Sequence, residues 1–366
     1  MNPTRTIHDA GQSLWLDNIT RGLLKSGTLR RYIDELTVTG LTSNPTIFAN
    51  AIKHTHDYDA AISAKLAEGK EGEELFFELA IEDLREAADL FRPIHERTNG
   101  LDGWVSLEVS PLLAHDVDST LQATLGLFRR ADRQNMFIKI PGTLEGIQAV
   151  EKATFAGVPV NVTLLFSTEH YLAAAEAYMR GIEQRVAAGL NPAVGSVASV
   201  FVSRWDAAVA ANVPSELRNR LGIVLSRQTY RAYLELLASA RWLRLQNEGA
   251  RPQRLLWAST GTKDPEASDT LYVDALIGAL TIDTIPEQTL LAVGDHGTPG
   301  TPLNARGEDA NEVLAAFSAA GVEVQGLAAT LQAEGADAFD ASWSEMLDCV
   351  AGKCVAAAAS ASGATA

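Results

Sequence analysis

A lysine stands between two isoleucines in FIKIPGT, residues 137 to 143. Lysine is almost never fully buried without a partner, and an isolated ammonium in low dielectric gives up its proton instead. Lys139 therefore needs company, and four other short runs offer it: Asp17 in WLDNI, Asn44 in TSNPT, Glu108 in VSLEVS, and Asn161 with Thr163 in NVTLLF. An amine can attack a ketone to form a Schiff base, which withdraws electrons from the adjacent carbon–carbon bond and lets it break. That chemistry needs a proton shuttle to dehydrate the carbinolamine, a base at the hydroxyl of the breaking bond, and donors that fix the substrate. Glu108, Asp17 and the set Asn44, Asn161 and Thr163 carry suitable groups for those tasks in turn. Singly, each has a plainer reading: a salt-bridged lysine, ordinary strand-end carboxylates, an asparagine in a turn before Pro45. Only their convergence would make a site.

Convergence depends on the elements that carry them. Eight short apolar, β-branched runs, at 14–19, 37–43, 103–109, 136–142, 158–166, 196–204, 254–260 and 279–285, alternate with helical patterns. This is the signature of parallel β/α units, and eight of them predict a single α/β domain, a (β/α)8 TIM barrel with additional helices. The clearest helix is EELFFELAIEDLREAADLFRPI, where Phe77, Ile81, Leu84, Ala88 and Phe91 recur at helical spacing. The stretch from Asp206 to Gln253 has room for two helices, the second around QTYRAYLELLASARWLRLQ. Period-2 alternation turns Ile138 and Ile140 toward the helices and Lys139 inward; it sets Glu108 against Leu107 and Val109, and Asn161 and Thr163 against Val162 and Leu164. In such barrels the site is built at the C-terminal ends of several strands. The domain is expected over 1–355, with the low-complexity tail 356–366 lacking structure.

The chain has 366 residues, is 46% hydrophobic and carries a net charge of −16. That balance argues against nucleic acid or an anionic membrane as partner, while leaving room for a small phosphorylated ligand. The N-terminus lacks the apolar core of a signal peptide, and no apolar run is long enough for a transmembrane helix. Two cysteines, Cys349 and Cys354, make no disulfide framework, and a reducing cytoplasm fits them best. No phosphate-binding or dinucleotide glycine motif is present. His54 and His56 lack further ligands at metal spacing and suit a solvated helix start; Asp295 and His296 in GDHG suit a Gly- and Pro-rich turn. Neither a cofactor nor a metal is expected, so side chains must do the chemistry.

The runs SLWLDNITR, GLTSNPTIF, VSLEVSP, FIKIPGT, NVTLLFS, SVASVFVSRWD, LLWASTGTKDP and TLYVDALIGALTIDTIPEQTL together resemble the transaldolase family, in its longer actinobacterial and cyanobacterial form. The resemblance implies a metal-independent class I barrel that moves a dihydroxyacetone unit between sugar phosphates in the non-oxidative pentose phosphate pathway. It implies that Lys139 is the Schiff-base lysine, Glu108 a proton shuttle acting through water, and Asp17 the group at the hydroxyl of the cleaved bond. By the same resemblance Asn44, Asn161 and Thr163 hold the dihydroxyacetone moiety, and Ser199 and Arg204 belong to the phosphate site. Many members carry a second phosphate-binding arginine after the seventh strand; here ASTGTKDP offers Lys263, with Ser259 beside it. A lysine binds phosphate as a point charge, without the bidentate fork. Three other readings compete: an aldolase of the same barrel family, a non-catalytic sugar-phosphate-binding barrel, and a module normally fused to an isomerase. The third has no spare length, and a homo-oligomer is compatible with the family.

Overall fold

Each of the eight apolar runs forms a strand in the computed structural model, which describes residues 2–303 and 310–363. They are β1 (Ser13–Asp17), β2 (Val38–Thr42), β3 (Val105–Glu108), β4 (Met136–Pro141), β5 (Val160–Leu165), β6 (Ser196–Phe201), β7 (Gln253–Ala258) and β8 (Thr281–Ile285). All pair in parallel in chain order, and β8 closes onto β1, so the sheet has no edge. Outward residues such as Leu14, Leu16, Leu107, Ile138, Ile140 and Val162 join the large core beneath the helices. Inward residues Trp15, Phe137, Val197, Leu256 and Ile282 fill the barrel itself. Trp104 stacks on Phe137 at 4.1 Å between ring centroids, a pairing that adds about 1 kcal/mol beyond the area it buries. Trp15 fits because residue 40 is glycine: a Cβ there would stand 2.7 Å from the indole and 2.7 Å from the Trp104 carbonyl oxygen.

Below this layer the polar groups satisfy one another. Arg254 donates to Ser13 Oγ (2.8 Å), Thr281 O (2.7 Å) and Leu101 O (3.0 Å), while Asp102 accepts from Trp15 Nε1 (2.8 Å) and from the Ser13 hydroxyl. This end of the barrel is a closed structural plug.

The helix expected around Phe77 runs Gly72–Arg97 and buries Phe77, Ile81, Leu84, Ala88 and Phe91 as its periodicity required. Four local expectations need correction. The single helix expected around 228–246 is two, Leu221–Leu237 and Ala240–Asn247, because Ser239 caps the second by accepting from Trp242 N (3.2 Å). Asp295 and His296 end the helix Glu287–His296, where His296 pairs with Asp269 (2.9 Å); the loop begins only at Gly297. His54 ends the helix Pro45–His54 instead of opening one, whereas the exposed His56 does stand at a solvated helix start, bonding to Asp59, the first residue of the helix Asp59–Ala67, at 2.6 Å. The tail, expected to lack structure from 356, continues the C-terminal helix Val324–Gly363; its alanines are the strongest helix formers. Residues 364–366 lie outside the described residues. No single helix among the described residues is long and apolar enough to cross a membrane.

That last helix lies over the C-terminal mouth of the barrel. Gln332 Nε2 donates to Gly142 O (3.0 Å) and Leu164 O (2.9 Å), and Ser342 bonds to Thr46 (2.9 Å). Leu164 has a left-handed φ of 59° at an irregularity in β5, and it packs with Phe166 and Phe201 beneath this helix. Period-2 alternation had turned Leu164 toward the outer helices; the bulge reverses it.

Candidate active site

Register brings the candidate residues together. Glu108 on β3 pairs with Lys139 on β4, which pairs with Asn161 on β5, so three inward side chains stand side by side. Lys139 Nζ donates to Glu108 Oε2 (3.3 Å) and to Ser43 O (3.1 Å), and both charged residues are only 6% exposed. Asn161 is fixed in orientation: its Nδ2 donates to Ser106 Oγ (3.2 Å) and its Oδ1 accepts from Ser199 Oγ (2.7 Å). Across the barrel, Asp17 accepts from Thr42 Oγ1 (2.7 Å), which in turn contacts Thr284 Oγ1 at 2.6 Å. Asn44 spends its oxygen on the N-cap of helix Pro45–His54, accepting from Ile47 N at 3.0 Å.

Asp17, Asn44, Lys139, Thr163, Ser199 and Arg204 line one cavity of about 160 Å³ at the barrel mouth, with Ser259 and Lys263 on its β7 side. Burial pushes the Glu108 carboxyl above the ordinary range, against the opposing charge and hydrogen bond of Lys139, and the charge of Asp17 pushes it further. Burial likewise raises Asp17, opposed by Lys139, by the Thr42 hydrogen bond and by Lys263. Both groups thus accept a proton more readily than a solvated carboxylate, which suits residues that must take up and return one.

The cations of this cavity differ from the plugged Arg254 below. Arg204 is half-buried against the Phe201 ring, 5.1 Å from its centroid, and among the described residues no carboxylate lies within ion-pair distance of it. Burial lowers its pKa, yet a guanidinium remains charged in proteins. Lys263 is exposed and likewise has no carboxylate at ion-pair distance among the described residues. A desolvated guanidinium beside an exposed ammonium, both facing one cavity, is an arrangement that receives an anion. Ser259, at a left-handed φ of 57°, contacts Ser203 Oγ at 2.9 Å and so ties the end of β7 to the end of β6.

All ten candidate residues therefore sit at one end of the barrel, with Glu108 and Asn161 just beneath the cavity that the other eight line. Ser199, assigned to the phosphate site by resemblance, lines the cavity but commits its hydroxyl to Asn161. Sequence reasoning missed Thr42, Thr284 and Phe201, although the alternation that found Lys139 also turns them inward. It missed Phe339 as well, for which no local signal exists: the C-terminal helix supplies this ring from far along the chain, 5.9 Å from Lys139 Nζ. Among the described residues no group of three or more His, Cys, Asp or Glu side chains is placed to hold a metal ion.

Known proteins resemble this chain over nearly its whole length. A curated protein named transaldolase from Arthrobacter sp. (strain FB24) is 44% identical over 359 residues, spanning 96% of this chain and 97% of its own. One of the same name from Saccharopolyspora erythraea is 44% identical over 351 residues, 94% of this chain and 95% of its own. A third, from Thermobifida fusca, is 44% identical over 359 residues, 96% and 98% of the two chains. The profile described as Transaldolase/Fructose-6-phosphate aldolase matches residues 14–350, and with that coverage the chain belongs to the transaldolase/fructose-6-phosphate aldolase family.

Proposed function

We infer that this chain is a transaldolase, transferring a dihydroxyacetone unit from sedoheptulose 7-phosphate to glyceraldehyde 3-phosphate to give erythrose 4-phosphate and fructose 6-phosphate. The observation that carries this reading is the buried Lys139–Glu108 pair, 3.3 Å apart, at a cavity whose cations Arg204 and Lys263 have no carboxylate at ion-pair distance among the described residues. Lys139 attacks the donor ketone, and Glu108, within hydrogen-bond reach of the amine, shuttles protons through water as the carbinolamine dehydrates. Asp17 takes the proton from the hydroxyl at the cleaved bond and returns it when the acceptor aldehyde adds. Asn44, Asn161 and Thr163 hold the three-carbon unit, with Ser199 bracing Asn161. Arg204 and Lys263 take the phosphate, and Ser259 keeps the β7 loop against β6. The two cysteines are free thiols and support a reducing cytoplasmic setting, in the non-oxidative pentose phosphate pathway.

Borohydride reduction with fructose 6-phosphate, read by peptide mass spectrometry, tests the assignment. A three-carbon adduct is expected on Lys139 alone, and Lys139→Arg should abolish both adduct and turnover while circular dichroism shows an intact fold. An adduct on another lysine, or none, overturns the reading. Formation of free dihydroxyacetone as the main product in the presence of erythrose 4-phosphate would favour a simple aldolase.

A further inference from the structure

We propose that Phe339 is a specificity-determining residue that shields the three-carbon unit on Lys139 from water, and so favours transfer over release; this rests on the Schiff-base reading above. After the first aldehyde leaves, Lys139 carries an enamine of dihydroxyacetone. Water can end the cycle there. The enamine carbon takes a proton from water, the remaining hydroxide adds to the iminium carbon, and the carbon–nitrogen bond breaks. One water is consumed, and free dihydroxyacetone and the lysine amine are the products. Transfer requires that an aldehyde arrive before this happens.

The ring of Phe339 lies 5.9 Å from Lys139 Nζ and lines the cavity, and it neither gives nor accepts a proton. Water settles where it finds two or more polar partners, and an apolar face beside the reacting carbon denies it one side of the site. The helix that carries the ring is held independently on both flanks. Gln332 bonds to the carbonyls of Gly142 and Leu164, at the ends of the strands that carry Lys139 and Thr163. On the other flank Trp343 packs edge-on against Phe76 at 5.2 Å between centroids, and Lys53 pairs with Glu345 at 3.3 Å. Between them Gly335 lets the helix approach the barrel mouth: a Cβ there would stand 3.0 Å from Leu164 Cδ2 and 3.3 Å from Arg204 Nη1. Phe339 itself is only half-buried, as befits a ring that faces a cavity.

The test is the ratio of free dihydroxyacetone to sedoheptulose 7-phosphate formed by the full chain from fructose 6-phosphate and erythrose 4-phosphate. Phe339→Ala should raise this ratio on the order of tenfold, with circular dichroism unchanged. Phe339→Leu, which keeps an apolar plug without a π face, should stay near wild type. An unchanged ratio in the alanine variant, even with slower turnover, would reduce Phe339 to packing. A leucine variant that leaks as the alanine variant does would overturn water exclusion in favour of an attraction between ring and cation. Absence of a Lys139 adduct in wild type would defeat the underlying reading and this proposal with it.

Discussion

Asp283→Asn should remove a pH dependence of stability that the wild-type fold carries. Asp283 lies on the outer face of β8 and is fully buried; its Oδ1 accepts from Thr260 Oγ1 at 2.7 Å, and its Oδ2 is buried without a hydrogen bond. Burial outweighs that one bond and pushes the carboxyl up to about 7 from an unperturbed 3.8. Between those values the folded chain keeps a proton that the unfolded chain has released, so stability falls as pH rises through this window and levels off above it. A shift of this size corresponds to on the order of 4 kcal/mol over the whole window, of which roughly 3 kcal/mol lies above about pH 5. Asparagine reproduces the neutral acid in shape and can still accept from Thr260. Denaturant unfolding of both proteins between about pH 5 and pH 8 isolates the group, because all other titrations cancel in the difference. The variant should gain on wild type by roughly 3 kcal/mol across that range. A difference that does not change with pH would mean that Asp283 is ionised in the fold, and the desolvation reasoning would fail. The bond also has a functional side, since Thr260 lies between Ser259 and Gly261 in the cavity wall; the asparagine variant retains it and should keep its activity.

The remaining predictions concern the site. Glu108→Gln should lower kcat by roughly a hundred- to ten-thousandfold. The acidic limb of the wild-type rate profile, to which the raised carboxyls of Glu108 and Asp17 both contribute, should lose the Glu108 contribution and keep that of Asp17. Arg204→Ala should raise KM for phosphorylated substrates by about ten- to a hundredfold, the loss of a charged hydrogen bond of about 1.5–3 kcal/mol. It should also weaken inhibition by inorganic phosphate, and an unchanged inhibition constant would remove Arg204 from the anion site. Gly335→Ala gains about 1 kcal/mol of helix propensity but crowds the Arg204 guanidinium. Its melting temperature should therefore hold while KM rises severalfold, and a rise in stability by the full propensity gain with KM unchanged would contradict the close approach.

The sequence by itself determined the strands and which of their residues point inward, because side chains alternate faces with a period of two whatever the strands later pair with. Lys139, Glu108 and Asn161 were legible for that reason, and so were the helix-facing Ile138 and Ile140. Two helix starts were not legible in this way: Asn44 and Ser239 each cap a helix by accepting from a backbone amide three positions on, where the sequence suggested a turn and an unbroken helix. Alternation failed at Leu164, where a left-handed φ inverts the pattern locally. Tertiary structure alone decided the rest. Closure of β8 onto β1 and the pairing register put Asp17 and Thr284 across from Lys139, an outcome that no single strand encodes. The contrast between Arg254, fully partnered below, and Arg204, facing the cavity, depends on which carboxylates and carbonyls arrive from distant segments. Phe339 reaches Lys139 only because Gln332 finds two strand-end carbonyls and Gly335 leaves space above Arg204. Periodicity is a property of one segment, and a site is a property of several segments held at fixed distance by packing.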